Sequence, residues 1–263
     1  MEVNEVYCMD NLKLMKHIPD NFIDLIYCDI LYGTGRNFGD YLDLKPMRSE
    51  IEDHYLPRIK EMKRVLKSTG SIYLQMDTKI NHWIRCLMDD IFGYDKFQCE
   101  IIWVYGSGLK AKSKKFHSHH DSILFYSKNN THIFNHQYIK LKEPNKRWKT
   151  STINGKNVPT RDENGKQETY FVDEQEIGNV WTDIPMRRNG ILYKTEKPMI
   201  LSERIIKASS NEGNLVVDFY CGSGTTLAAA KKLNRNYIGC DINPRAVEIS
   251  KERIKNTITP FII

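Results

Sequence analysis

The run Val216-Val217-Asp218-Phe219-Tyr220-Cys221-Gly222-Ser223-Gly224-Thr225-Thr226 constrains this chain more than any other segment. Two apolar residues lead into an acid, two glycines permit a tight turn, and alanine-rich sequence follows. That order reads as a strand, a turn and a helix start, the geometry that lets backbone approach a bound molecule closely. A binding turn of this kind normally opens its domain. Here it comes after four fifths of the chain, so the order of elements is circularly permuted.

The rest of the chain fits an α/β sheet. Strands are expected over Glu5-Val6-Tyr7-Cys8-Met9-Asp10, 22–28, 71–76, 100–105, 122–126, 215–219 and 237–240. Helices are expected over 11–17, 51–66, 80–92, 198–209, 225–233 and 244–254, from apolar residues spaced three and four apart. Ser68-Thr69-Gly70 reads as a helix stop, and Gly33 to Tyr41, with three glycines, as a mobile loop. This alternation predicts a doubly wound, mostly parallel sheet with helices on both faces. From about 131 to 190 apolar periodicity fades, and Asn154-Gly155 and Asn164-Gly165 mark turns, so this part reads as an inserted β-rich module. The expected division is 1–130 with 191–263 as one domain and 131–190 as the insert.

Composition narrows the class. Of 263 residues, 40% are hydrophobic and 27% charged, as in ordinary globular proteins, and the formal net charge of +6 is compatible with a polyanionic partner. No apolar run approaches the roughly 18 residues of a membrane span. No secretory signal opens the sequence, so a cytoplasmic location is expected. The six cysteines form no CxxC pair; Cys8, Cys28, Cys221 and Cys240 read as small apolar filler in or beside buried strands. His117, His119 and His120 lack a supporting acid or cysteine pattern and read as loop residues, so no metal is expected.

Two segments carry the chemistry. Asp218 to Thr226 resembles the cofactor loop of S-adenosylmethionine-dependent methyltransferases, the DPFxGSGTT form, without its proline and with Cys221 in the small-residue place. Asp29-Ile30-Leu31-Tyr32 resembles the DPPY tetrapeptide of amino methyltransferases, with Ile30 and Leu31 where the prolines stand. Taken with this motif order, the resemblance is to the beta-class DNA amino methyltransferases, which modify the N6 of adenine or the N4 of cytosine. It covers nearly the whole chain outside the insert, including Glu100-Ile101-Ile102-Trp103 and His120 to Lys128.

The resemblance implies a Rossmann-like methyltransferase fold with permuted motifs and a target-recognition insert. Its cofactor would be S-adenosylmethionine, and its substrate an exocyclic amine of a base flipped from duplex DNA. Adenine is favoured by Asp at the first tetrapeptide position. The amine's lone pair is delocalised into the ring, so Asp29 and the carbonyl of Leu31 would hold its hydrogens while Tyr32 stacks on the base. Cofactor contacts are expected from Phe219, Cys221, Gly222, Gly224, Thr225 and Thr226, whose turn would aim backbone N–H groups at the ligand. Asp218 belongs to the same loop. Asp241 would hold the ribose hydroxyls or merely cap a helix. Lys197, in Thr195-Glu196-Lys197-Pro198, would line the methionine end or be a surface charge. Asp10 would contact adenine or cap a helix.

DNA contacts are expected from Arg36, from Lys110, Lys112, Lys114 and Lys115, from Lys146, Arg147 and Lys149, and from Arg187 and Arg188. Lys140, Lys142 and Lys156, with Tyr138 and Trp148, belong to the same basic stretch of the insert. A homodimer and a cognate restriction endonuclease are further expected partners. Competing readings are a DNA-binding subunit without catalysis, an N4-cytosine enzyme and an RNA methyltransferase. A nicotinamide dehydrogenase would need a third glycine where Leu227 stands. Methylation at carbon 5 of cytosine would need a Pro-Cys nucleophile, which the chain lacks.

Overall fold

The computed structural model describes residues 1–37, 42–106, 114, 116–186 and 196–259. The chain divides into two compact units, Met1–Asn135 with Asn179–Ile263, and His136–Gly178.

The larger unit is built on an eight-stranded sheet. In chain order its strands are β1 (Glu5–Cys8), β2 (Ile23–Asp29), β3 (Leu66–Met76), β4 (Phe97–Val104), β5 (His120–Ser127), β10 (Val180–Trp181), β11 (Leu215–Asp218) and β12 (Asn236–Asp241), leaving β6 to β9 for the smaller unit. Their order across the sheet is β1-β12-β11-β2-β3-β5-β4-β10. All neighbours are parallel except that β5 runs antiparallel to both β3 and β4. The permutation is resolved by this order: β11, from late in the chain, lies beside β2, from its start, with Val216 opposite Leu25 and Val217 opposite Ile26.

The strands are buried on both faces, which is why β2 and β11 read as unbroken apolar runs. Ile26, Cys28, Ile72, Leu74, Val217 and Ile238 pack in one cluster with α1 (Asn11–Met15), α2 (Arg48–Val65) and α3 (Asn81–Phe92). The alternate residues Leu25, Tyr27, Tyr73 and Val216 are equally buried. Leu227, Ala228, Val247 and Ile254, from α5 (Thr225–Lys232) and α6 (Pro244–Asn256), form a second cluster against Val6, and α4 (Met199–Ser209) completes the set.

Three expectations are corrected. Ser68-Thr69-Gly70 does not merely stop a helix; β3 already begins at Leu66, because Leu66 pairs with Ile23 at the entry to β2. Cys8 is exposed, since it ends β1 at the sheet's edge, whereas Cys28, Cys221 and Cys240 are buried as filler. The inserted unit is narrower than 131–190. Asn135 bonds to α4 through Ala208, and Val180–Trp181 joins the main sheet as β10.

The smaller unit consists of two antiparallel pairs, β6 (Tyr138–Trp148) with β9 (Thr169–Glu176), and β7 (Thr150–Ile153) with β8 (Lys156–Pro159). Asn154 and Gly155 both have positive φ, 50° and 75°, the backbone a two-residue hairpin turn requires.

Candidate active site

A cavity of about 670 Å³ lies at the C-terminal ends of β1, β2, β11 and β12. It is the crevice where parallel α/β sheets bind ligands. Asp10, Asp29, Leu31, Tyr32, Lys197, Asp218, Phe219, Cys221, Gly222, Thr225, Thr226 and Asp241 all line it. Both motifs therefore open into one space. Gly224, expected among the cofactor contacts, does not line it. Its φ of +75° starts α5, and a Cβ there would stand 2.1 Å from Ser250 Oγ, so this glycine serves the turn and the close approach of α6.

The turn's amides are largely committed within the protein, against the expectation that they face a ligand. The N–H of Phe219 donates to Cys28 Sγ, that of Tyr220 to Asp218, that of Cys221 to the Cys240 carbonyl, that of Gly222 to Asp241 and that of Gly224 to the Cys221 carbonyl. These bonds fix the loop's shape.

Six carboxyl groups among the described residues line the cavity, those of Asp10, Asp29, Asp43, Glu196, Asp218 and Asp241, and burial pushes three of them upward. Asp218 is pushed up to about 7; Asp29 and Asp241 are also raised. Asp241 accepts from the N–H groups of Gly222 at 3.0 Å and Asn243 at 2.8 Å, leaving lone pairs for further donors. It is not the cap of α6; Asn243 is, accepting from the Arg245 N–H. Asp10 does cap α1, accepting from the Lys13 N–H, while its other oxygen takes Arg58 Nη2 at 2.7 Å. Burial raises the Asp10 carboxyl, but Arg58 and the capping bonds outweigh it and hold it below the ordinary value.

The Asp29 to Tyr32 turn is held without prolines. The Ile30 N–H donates to the Gln75 carbonyl and the Tyr55 hydroxyl donates to the Leu31 carbonyl at 2.9 Å. Asp43 then accepts from the Gly33 and Thr34 N–H groups and the Thr34 hydroxyl. Asp29 Oδ2 takes Lys197 Nζ at 2.7 Å, and its Oδ1 lies 2.7 Å from the Tyr32 hydroxyl. Lys197 is thus no free surface charge; its side chain is 12% exposed, and it also sits 4.9 Å from the Tyr32 ring centre. Burial raises Asp29 while Lys197 opposes that rise.

Several lining residues escaped sequence reasoning. His54 and Arg58 stand one turn apart on α2, polar positions beside its apolar stripe, and that spacing was the available signal. Arg58 also binds Asn11, which bonds the Phe219 carbonyl. His54 meets the Tyr220 hydroxyl at 3.1 Å and is pushed down to about 4 by burial and by Arg58. Asp121 and Gln75 do not line the cavity but bond around it, and they were visible as polar breaks inside apolar strands.

Among the proposed DNA contacts, Arg36, Lys114, Lys146, Arg147 and Lys149 are exposed, and Lys149 pairs with Glu168 at 3.1 Å. Lys110, Lys112, Lys115, Arg187 and Arg188 lie outside the described residues. No described helix is long and apolar enough to cross a membrane.

Residues 23–252 match the family N6_N4_Mtase, described as DNA methylase. The type II methyltransferase M.HpaI of Haemophilus parainfluenzae is 31% identical over 259 residues, covering 97% of this chain and 75% of that protein. The DNA adenine methyltransferase YhdJ of Escherichia coli K12 is 32% identical over 251 residues, covering 93% and 80%. The crystal structure of the M1.HpyAVI–SAM complex superposes with a TM-score of 0.58 at 18% identity, covering 95% of this chain and 98% of that one.

Proposed function

This chain belongs to the N6_N4_Mtase family of DNA methylases, and we propose that it methylates the N6 amine of adenine in duplex DNA, using S-adenosylmethionine and a base flipped out of the helix. The observation that supports this reading is the adjacency of β2 and β11, which opens Asp29 and Asp218 into one cavity. The adenine target rests on Asp29 at the first tetrapeptide position and on the likeness to a DNA adenine methyltransferase.

The cavity fits the cofactor. Carboxyl oxygens of Asp29, Asp218 and Asp241 line it, and Asp241 keeps acceptor capacity for two hydroxyls. Asp241, Asp10, Phe219 and the Cys221–Gly222 turn would hold it. When bound, it supplies an electrophilic methyl group. The protein's own part is to hold the amine. The Leu31 carbonyl, with one lone pair occupied by Tyr55, offers its second to an N–H. Asp29 accepts the other N–H, and its raised pKa suits it to receive that proton as the nitrogen becomes tetrahedral. Positioning of this kind supplies much of the rate. The exposed basic residues of the smaller unit would contact phosphates.

The test is methyl incorporation into DNA from a strain lacking methylases, followed by nucleoside analysis. N6-methyladenine is expected, and Asp29→Ala should lose about 10²-fold or more of the rate. N4-methylcytosine as the product would overturn the target, methylation of RNA alone would overturn the substrate, and an undiminished Asp29→Ala variant would overturn the mechanism.

A further inference from the structure

Behind the tetrapeptide lies a second acid that the reaction as described does not use. Asp121, near the start of β5, is 2% exposed and does not line the cavity. Its Oδ2 lies 2.6 Å from the Tyr32 hydroxyl and 2.8 Å from Gln75 Nε2; its Oδ1 lies 3.1 Å from the Tyr105 hydroxyl. The Tyr32 hydroxyl therefore sits between two carboxylates, Asp121 and Asp29, with one proton to give.

The surrounding network decides where that proton goes. The Tyr27 hydroxyl donates to Gln75 Oε1 at 2.6 Å, which turns the Gln75 amide NH2 toward Asp121. Gln75 and Tyr105 both donate, so Asp121 is held as an acceptor on both oxygens. No cation bonds to it among the contacts described, so neutral donors carry its charge, and each counts heavily in a buried site. Asp29 differs, since it has the Lys197 ammonium as partner. The charged or titratable groups facing this pair are Lys197, Asp218, Tyr27, Tyr32 and Tyr105.

We propose that Asp121 is a positioning residue for methyl transfer: it accepts the Tyr32 hydroxyl proton and so keeps Asp29 free to receive the target amine. The inference rests on the reading of Asp29 as the amine acceptor. With its hydrogen turned to Asp121, the Tyr32 oxygen has only lone pairs toward an ionised Asp29, so their 2.7 Å approach holds no hydrogen bond that a base amine would have to break. Asp29 is then available to the N–H of the base, and the Tyr32 ring remains tethered at its far end. Without an acceptor at 121, the same hydroxyl turns to Asp29 and occupies the oxygen the amine needs.

A double-mutant cycle on DNA methylation tests this. Asp121→Leu, which keeps the side chain's size and removes both acceptor oxygens, should lower kcat about tenfold or more, the worth of a hydrogen bond to a charged group, with cofactor affinity by calorimetry unchanged. Tyr32→Phe keeps the ring and removes the proton, so adding it to Asp121→Leu should recover most of the loss. Equal losses from Asp121→Leu in both backgrounds would overturn the proposal, as would no loss in either. Should Asp121→Leu melt without cooperativity, Tyr32→Phe alone decides. The acid limb of its kcat profile should stay in place, whereas an upward shift would mean that the phenol serves Asp29. A parent protein that transfers no methyl group would instead refute the underlying function.

Discussion

Replacing Lys197 by Met should move the acid limb of activity to higher pH. Lys197 Nζ lies 2.7 Å from Asp29 Oδ2, and the two side chains are 12% and 25% exposed. Burial already raises Asp29, Asp121 adds to the rise, and Lys197 is the cation that opposes it. Coulomb attraction between unit charges about 4 Å apart reaches ~4 kcal/mol at an effective dielectric of ~20, an upper limit. A hydrogen bond to a charged group is worth about 1.5–3 kcal/mol. At about 1.4 kcal/mol per unit, the lower range corresponds to roughly one to two pH units. In the proposed mechanism amine capture needs Asp29 ionised, so activity should appear as pH rises through its pKa, and raising that pKa delays the appearance. The assay is kcat/KM for DNA methylation between pH 5 and 9, which reports groups in the free enzyme. Loss of cofactor affinity in Lys197→Met would lower the whole profile without moving its limb. A limb that stays in place, or moves to lower pH, would refute the pairing as the control on Asp29.

Asp218, 2% exposed and pushed up to about 7 by burial, should make the protein less stable as pH rises. A carboxyl that binds its proton more tightly when folded stabilises below its unfolded pKa, and that contribution is lost through pH 7. Asp218→Asn should therefore raise Tm relative to the parent at pH 8.5, by an amount corresponding to at most ~4 kcal/mol, and the gap should narrow as pH falls below 7 and close only near the unfolded value of 3.8; a gap independent of pH would contradict this. In the smaller unit, Lys146→Ala with Arg147→Ala should weaken DNA binding and reduce the salt slope by up to about two, with cofactor affinity unaltered. An unchanged slope would remove these residues from the phosphate-binding set.

The sheet was legible because its signals are local. The buried run Ile23–Asp29 and the glycine turn after Asp218 each dictate their own structure through apolar content and permitted φ. The two-residue hairpin at Asn154-Gly155 was equally plain. The start of β3 was not, because Ser68-Thr69-Gly70 is polar and is drawn into the strand by pairing at Leu66. The antiparallel course of β5 has no local signal either; an apolar strand reads the same in both directions. The tetrapeptide lacks its prolines, yet Tyr55, Gln75 and Asp43, from three other segments, hold it in place.

The amino-acid order determined which residues line the candidate site, since Asp29, Tyr32, Asp218 and Asp241 stand at or just beyond strand ends marked by burial and glycine. Tertiary structure decided their partners. Lys197 reaches Asp29 across 168 positions of sequence, and Tyr32 meets Asp121 across 89. Charge pairing and proton sharing depend on distances of a few ångströms, and no local propensity encodes a distance between segments that meet only when the sheet closes.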